Sequence, residues 1–90
     1  MKTMVSKKVT VVNAMGFHMR PAMNFANTMM KYPCDVKIKV NDNETDGKSI
    51  MNIIAACIKC GTEVEILCSG EREQEALDEA VTMIENGLGE

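Results

Sequence analysis

Met15-Gly16-Phe17-His18-Met19-Arg20-Pro21-Ala22 is the stretch from which the rest of the chain can be read. It holds the only histidine, with a glycine two residues before it, an arginine two after and a proline three after. Beyond it, Ala22, Phe25, Ala26 and Met29 recur at steps of three and four. That spacing predicts an amphipathic helix from about Met19 to Lys31. Pro21 falls in the first turn, where a missing N–H costs nothing. Tyr32-Pro33 ends the run, because a residue before proline disfavours helix. His18 is therefore expected at the mouth of a helix, where unpaired backbone N–H groups attract anions.

Outward from this helix, strand-like alternation takes over. Val9 and Val11 alternate with Lys8 and Thr10, which predicts a strand over Val5–Val12. Asn13 to Phe17 then reads as a loop hinged at glycine. Val36, Ile38 and Val40 alternate with Lys37 and Lys39, predicting a half-buried strand over Asp35–Val40. Asn41-Asp42-Asn43-Glu44 is a turn by composition, and a short antiparallel return strand is expected around Glu44–Asp46. Ser49 to Cys57 reads as a short helix with Ser49 as N-cap and with Ile50, Ile53, Ile54 and Cys57 on one side. Gly61 breaks the chain. Thr62–Cys68 alternates again, and a long helix follows over Arg72–Asn86, its stripe being Leu77, Ala80, Val81, Ile84 and Leu88. Glu71, Glu73 and Glu75 suit its N-terminal end, and Gly87 and Gly89 close it.

The order is β-α-β-β-α-β-α. Strands that alternate want one buried and one wet face. The expected architecture is α+β, one antiparallel sheet with all helices on one face.

Ninety residues make one small domain, spanning 1–90, with a modest core. Aromatics are limited to Phe17, Phe25 and Tyr32, so nine methionines fill space that aromatics usually occupy. A net charge of −3 gives no electrostatic reason to expect nucleic acid. No run is long and apolar enough to span a membrane. The start, Met1 to Lys8, lacks an apolar export core, so a cytoplasmic protein is expected. Cys34, Cys57, Cys60 and Cys68 are then expected as reduced thiols. Cys57-Ile58-Lys59-Cys60 has C-x-x-C spacing, a weak sign of zinc or redox chemistry without a second pair or a nearby histidine.

Three segments together resemble the HPr family, the histidine-containing phosphocarriers of the bacterial phosphoenolpyruvate:sugar phosphotransferase system. Gly16-Phe17-His18-Met19-Arg20-Pro21-Ala22 is similar to the family's Gly-(Leu/Ile)-His-(Ala/Thr)-Arg-Pro-Ala run. Lys48-Ser49-Ile50-Met51 resembles its regulatory serine segment. Ser69-Gly70-Glu71-Arg72-Glu73 with Ala76-Leu77 resembles the start of its last helix. The ending Gly87-Leu88-Gly89-Glu90 is similar to Gram-positive-type members.

The resemblance implies an open-faced β-sandwich, a four-stranded antiparallel sheet carrying three helices. It implies that His18 takes a phosphoryl group from phosphorylated Enzyme I through Nδ1 and passes it to the A domains of sugar permeases. Arg20 would steady the phosphate. Ser49 would be phosphorylated by HPr kinase/phosphorylase, a state in which the family also binds a catabolite-control repressor. Phe17, Met19, Ile50, Met51 and Ile54 are the expected partner-contact residues. No cofactor or metal is implied, and the carrier is expected to act as a monomer rather than as an enzyme.

The chain departs from the family pattern in places. Met19 stands for alanine or threonine, and Met15 for a small polar residue that helps cap the helix. Gly47 stands for a larger residue, and Asn52 and Cys57 for glycines. Two other readings compete: a regulatory paralogue working mainly through Ser49, and a thiol or metal protein using Cys57 and Cys60. The intact His18-Met19-Arg20-Pro21 run favours the carrier over the regulator, which has no need of the imidazole.

Overall fold

The computed structural model describes residues 4–88; Gly89, expected among the residues closing the last helix, lies outside them. The elements are β1 (Val5–Thr10), α1 (Met19–Met29), β2 (Asp35–Val40), β3 (Asn43–Asp46), α2 (Ile50–Ala55), β4 (Glu63–Ser69) and α3 (Glu73–Glu85). The strands form one antiparallel sheet in the order β1-β4-β2-β3. This is the single antiparallel sheet expected from the alternation, and the open-faced β-sandwich that the resemblance implies.

One face of the sheet is buried and the other solvated. Val9, Val36, Ile38, Val64, Ile66 and Cys68 join Phe25, Met29, Ile53, Leu77 and Ile84 in a single core cluster. The solvated face carries charges in register. Lys8 pairs with Glu65, Glu65 with Lys39, and Lys39 with Glu44, so signs alternate across all four strands. Opposite charges placed directly across a sheet attract one another.

The stripe of α1 is as expected: Ala22, Phe25, Ala26 and Met29 are all buried. The helix stops at Met29 rather than Lys31. There the N–H groups of Lys31 and Tyr32 donate to Thr28 and Met29 at 3.2 and 3.1 Å, tightening the last turn. Likewise β1 ends at Thr10, although Val11 still bonds across to Thr62 and Gly61.

α2 is shorter than Ser49–Cys57 and corrects one assignment. Cys57 is exposed rather than on the buried side, because it has left the helix with φ +53°. It occupies the left-handed position just past the C-cap Ala56, and its N–H donates to Ile54 at 3.1 Å. That is the position glycine usually takes at a helix end. α3 ends the same way, with glycine present: Gly87 has φ +82° and donates to Ile84, and Leu88 donates to Met83 at 2.8 Å. Leu88 is therefore buried, as its spacing predicts, but from beyond the helix.

Tyr32 ties three elements together. Its hydroxyl bonds the Glu79 carboxylate of α3, and its carbonyl accepts from Lys48 Nζ at 2.6 Å. The Arg72 guanidinium lies 4.9 Å from its ring centre. Gly47, before Lys48, is buried against β2: its N–H donates to Val36 at 2.8 Å, and a Cβ there would lie 2.7 Å from Val36 Cγ1. The backbone comes too close for the larger residue of the family pattern to fit without a shift.

Candidate phosphoryl-transfer site

The loop before α1 is held from two directions. Asn13, 6% exposed, is buried, and its Nδ2 donates to the Gly16 carbonyl at 2.6 Å, while the Gly16 N–H returns to the Asn13 carbonyl at 3.0 Å. Asn13 Oδ1 is buried with no hydrogen-bond partner among the described residues. From the other side, the Phe17 N–H donates to the Ile58 carbonyl at 2.9 Å. Gly16 has φ +64°, and a Cβ there would run into the Ile58 carbonyl oxygen and sit 2.8 Å from Lys59 Cα. Only glycine meets both the left-handed conformation and the close approach.

That clamp delivers His18 to the N-cap of α1, in extended conformation (φ −81°, ψ −169°) and half-buried. The His18 carbonyl accepts the Ala22 N–H at 3.0 Å, so the helix begins on the histidine itself. The N–H groups of Met19 and Arg20, in the first turn, have no carbonyl one turn back to bond. Pro21 brings no N–H and is buried. His18, Met19, Arg20, Met23 and Asn24 line one shallow depression of about 480 Å³. His18, Met19 and Arg20 thus gather at the start of a helix and open onto one depression. A helix start that carries an imidazole and an arginine suits an anionic group.

Ser49 caps α2. Its Oγ accepts the Asn52 N–H at 3.3 Å and its carbonyl the Ile53 N–H at 3.0 Å. The approach is braced by Asp46, whose carboxylate accepts the Lys48 N–H at 2.9 Å. α2 packs against α1.

Residues 5–86 match the family model described as "PTS HPr component phosphorylation site". The chain belongs to the HPr family. The phosphocarrier protein HPr of Pseudomonas aeruginosa is 35% identical, over 97% of this chain and 98% of its own. The HPr-like protein Crh of Bacillus subtilis is 33% identical, over 91% and 96%. The crystal structure of HPr-C-His from Thermoanaerobacter tengcongensis superposes with a TM-score of 0.91 at 29% identity, covering 96% of this chain and 97% of that one. That family comprises the HPr phosphocarriers of the phosphotransferase system, with Crh as an HPr-like relative.

Within this HPr fold, the expected contact residues separate. Met19 and Met51 are 57% and 73% exposed. Ile50 and Ile54 are half-buried against the core. Phe17 departs from the expectation: it is 3% exposed and packs edge-to-face on Phe25, centroids 5.5 Å apart. It is an anchor of the core under the site and offers no surface to a partner. Cys57 and Cys60 are both exposed free thiols. No three His, Cys, Asp or Glu side chains among the described residues are grouped to hold a metal.

In the sequence, Asn13 stands out only as a polar residue near Met15, and Ile58 not at all, as supports of the site. Ile58 acts through its carbonyl. Among the described residues, no helix is long and apolar enough to cross a membrane.

Proposed function

We propose that His18 is the phosphoryl acceptor of this chain. Phosphorylated Enzyme I supplies the group and the A domains of sugar permeases receive it, in the cytoplasm. The observation that carries the reading is the imidazole at the N-cap of α1, sharing one depression with Arg20. The lone pair of the unprotonated Nδ1 attacks phosphorus as the donor's bond to phosphorus breaks. The first-turn N–H groups and the Arg20 guanidinium then hold the phosphoryl oxygens. Transfer of this kind is mostly positioning plus charge stabilisation. Met19, Ile50, Met51 and Ile54 supply the apolar contact for partners. Incubation with Enzyme I and phosphoenolpyruvate tests this: an acid-labile phosphate appears on wild type and is lost in His18→Ala.

Ser49 supports a second, regulatory reading, favoured by its exposed cap bond to Asn52. Phosphate added at a helix start is electrostatically welcome. Phosphorylation by HPr kinase/phosphorylase would change the charge of the contact surface, not the fold, and present it to a catabolite-control repressor. Kinase labelling of wild type but not Ser49→Ala tests this reading.

A further inference from the structure

His18 is flanked by thioethers. Met19 and Met23 are 57% and 41% exposed and line the same depression as His18 and Arg20. They stand four residues apart, hence one above the other on the open side of α1. Buried Met29, on the other side of that helix, is 0% exposed. A dissolved oxidant therefore reaches this pair, as it reaches the exposed Met4, Met15, Met30 and Met51, but not Met29; of these thioethers only Met19 and Met23 line the depression that holds His18.

We propose that Met19 and Met23 are an oxidation-sensitive switch on the carrier site: converting their thioethers to sulfoxides blocks phosphoryl transfer at His18. The inference rests on the reading of His18 as phosphoryl acceptor. The oxidant class is a peroxide. A sulfur lone pair attacks one peroxide oxygen, the O–O bond breaks and an S–O bond forms. Sulfur loses two electrons, the peroxide is reduced, and the proton left on the new S–OH group passes to the departing hydroxide to give water.

The consequence follows from position. Met19 adjoins the histidine in the chain, so a donor surface that reaches the ring covers it. As a thioether it is apolar and adaptable in such a contact. As a sulfoxide it is polar and chiral, and must lose its water when the donor closes. The new oxygen is also an acceptor beside Arg20, where it competes with the phosphoryl oxygens for the guanidinium. Sulfoxide reductases reverse the change, which is what makes it a switch.

The test treats wild type and a Met19→Leu/Met23→Leu double variant with hydrogen peroxide. Dithiothreitol follows, to return the exposed Cys57 and Cys60 to thiols. The rate of labelling by Enzyme I and phosphoenolpyruvate is then compared with each protein's own untreated rate. Desolvating the new polar groups predicts a loss of about tenfold or more in wild type. Methionine sulfoxide reductase should restore that rate, and the double variant should keep its own. Wild type carrying sulfoxide at both positions by peptide mass, yet labelled at an unchanged rate, overturns the proposal. So does a double variant that loses rate as wild type does. Untreated wild type that takes no label overturns the His18 reading and the switch together.

Discussion

The Phe17 N–H donates to the Ile58 carbonyl at 2.9 Å, joining the loop before α1 to the loop after α2. His18 is the next residue, so its place at the N-cap depends on this bond and on the glycine preceding it. Gly16→Ala strikes both. The new methyl meets the Ile58 carbonyl and Lys59 Cα, at a residue with φ +64°. Overpacking and the left-handed cost together predict a loss of about 2–4 kcal/mol. A urea melt reads it, and labelling of His18 should slow even where the variant is still folded. An unchanged midpoint would show that the two loops part freely.

Tyr32 predicts an alkaline limit. The hydrogen bond to Glu79, with burial and the Glu79 charge, pushes its hydroxyl up from 10.0 to about 12. The folded state holds this proton more tightly than the unfolded chain. Its stabilisation is thus complete below pH 10 and lost as pH climbs towards 12. Burial, then the nearby Cys34, raises the Cys68 thiol from 9.0 to about 12 in the same sense, so decline begins above pH 9. With one tyrosine in the chain, phenolate absorbance reports Tyr32 alone. Its midpoint in folded protein should lie near 12, and Tyr32→Phe should flatten that part of the decline. A midpoint at 10 contradicts the bond to Glu79.

The row Lys8–Glu65–Lys39–Glu44 makes a prediction about the wet face of the sheet. Glu65→Lys puts three positive charges side by side. Two attractive cross-strand pairs become repulsive, a cost of about 1–2 kcal/mol. Salt screens exposed charges, so the deficit should shrink in concentrated salt. A deficit that ignores salt would point to packing rather than charge.

Cys57 is a site where the chain can gain stability. It takes φ +53° just past α2, where a Cβ is strained and a glycine is not. Glycine's greater freedom in the unfolded chain offsets part of the relief. Cys57→Gly should raise stability by about 0.5–1 kcal/mol, read as a higher urea midpoint. A lower midpoint would mean the thiol supports the loop.

Much of this architecture is written in short-range patterns. The alternation of Val36, Ile38 and Val40 marks β2 to the residue, because one face of a strand must be buried. The steps between Ala22, Phe25, Ala26 and Met29 mark α1 for the same reason. Ser49 is legible as a cap because its hydroxyl bonds a near neighbour. What resists reading depends on distant backbone. Cys57 falls on the helical stripe by number, yet the helix ends two residues earlier in a left-handed turn. Phe17 stands beside the histidine in the chain, but a core opening beneath α1 takes its ring to Phe25. Asn13 and Ile58 support the site through a buried amide and a carbonyl, and neither residue type announces that work.

The central claim is that His18 carries the phosphoryl group, and intact-mass analysis after incubation with Enzyme I and phosphoenolpyruvate tests it most directly. Wild type should gain the mass of one phosphoryl group, lose it in acid and yield a peptide phosphorylated at His18, while His18→Ala gains nothing. A wild type that gains none beside an active Enzyme I, or a His18→Ala variant that gains as much, would contradict it.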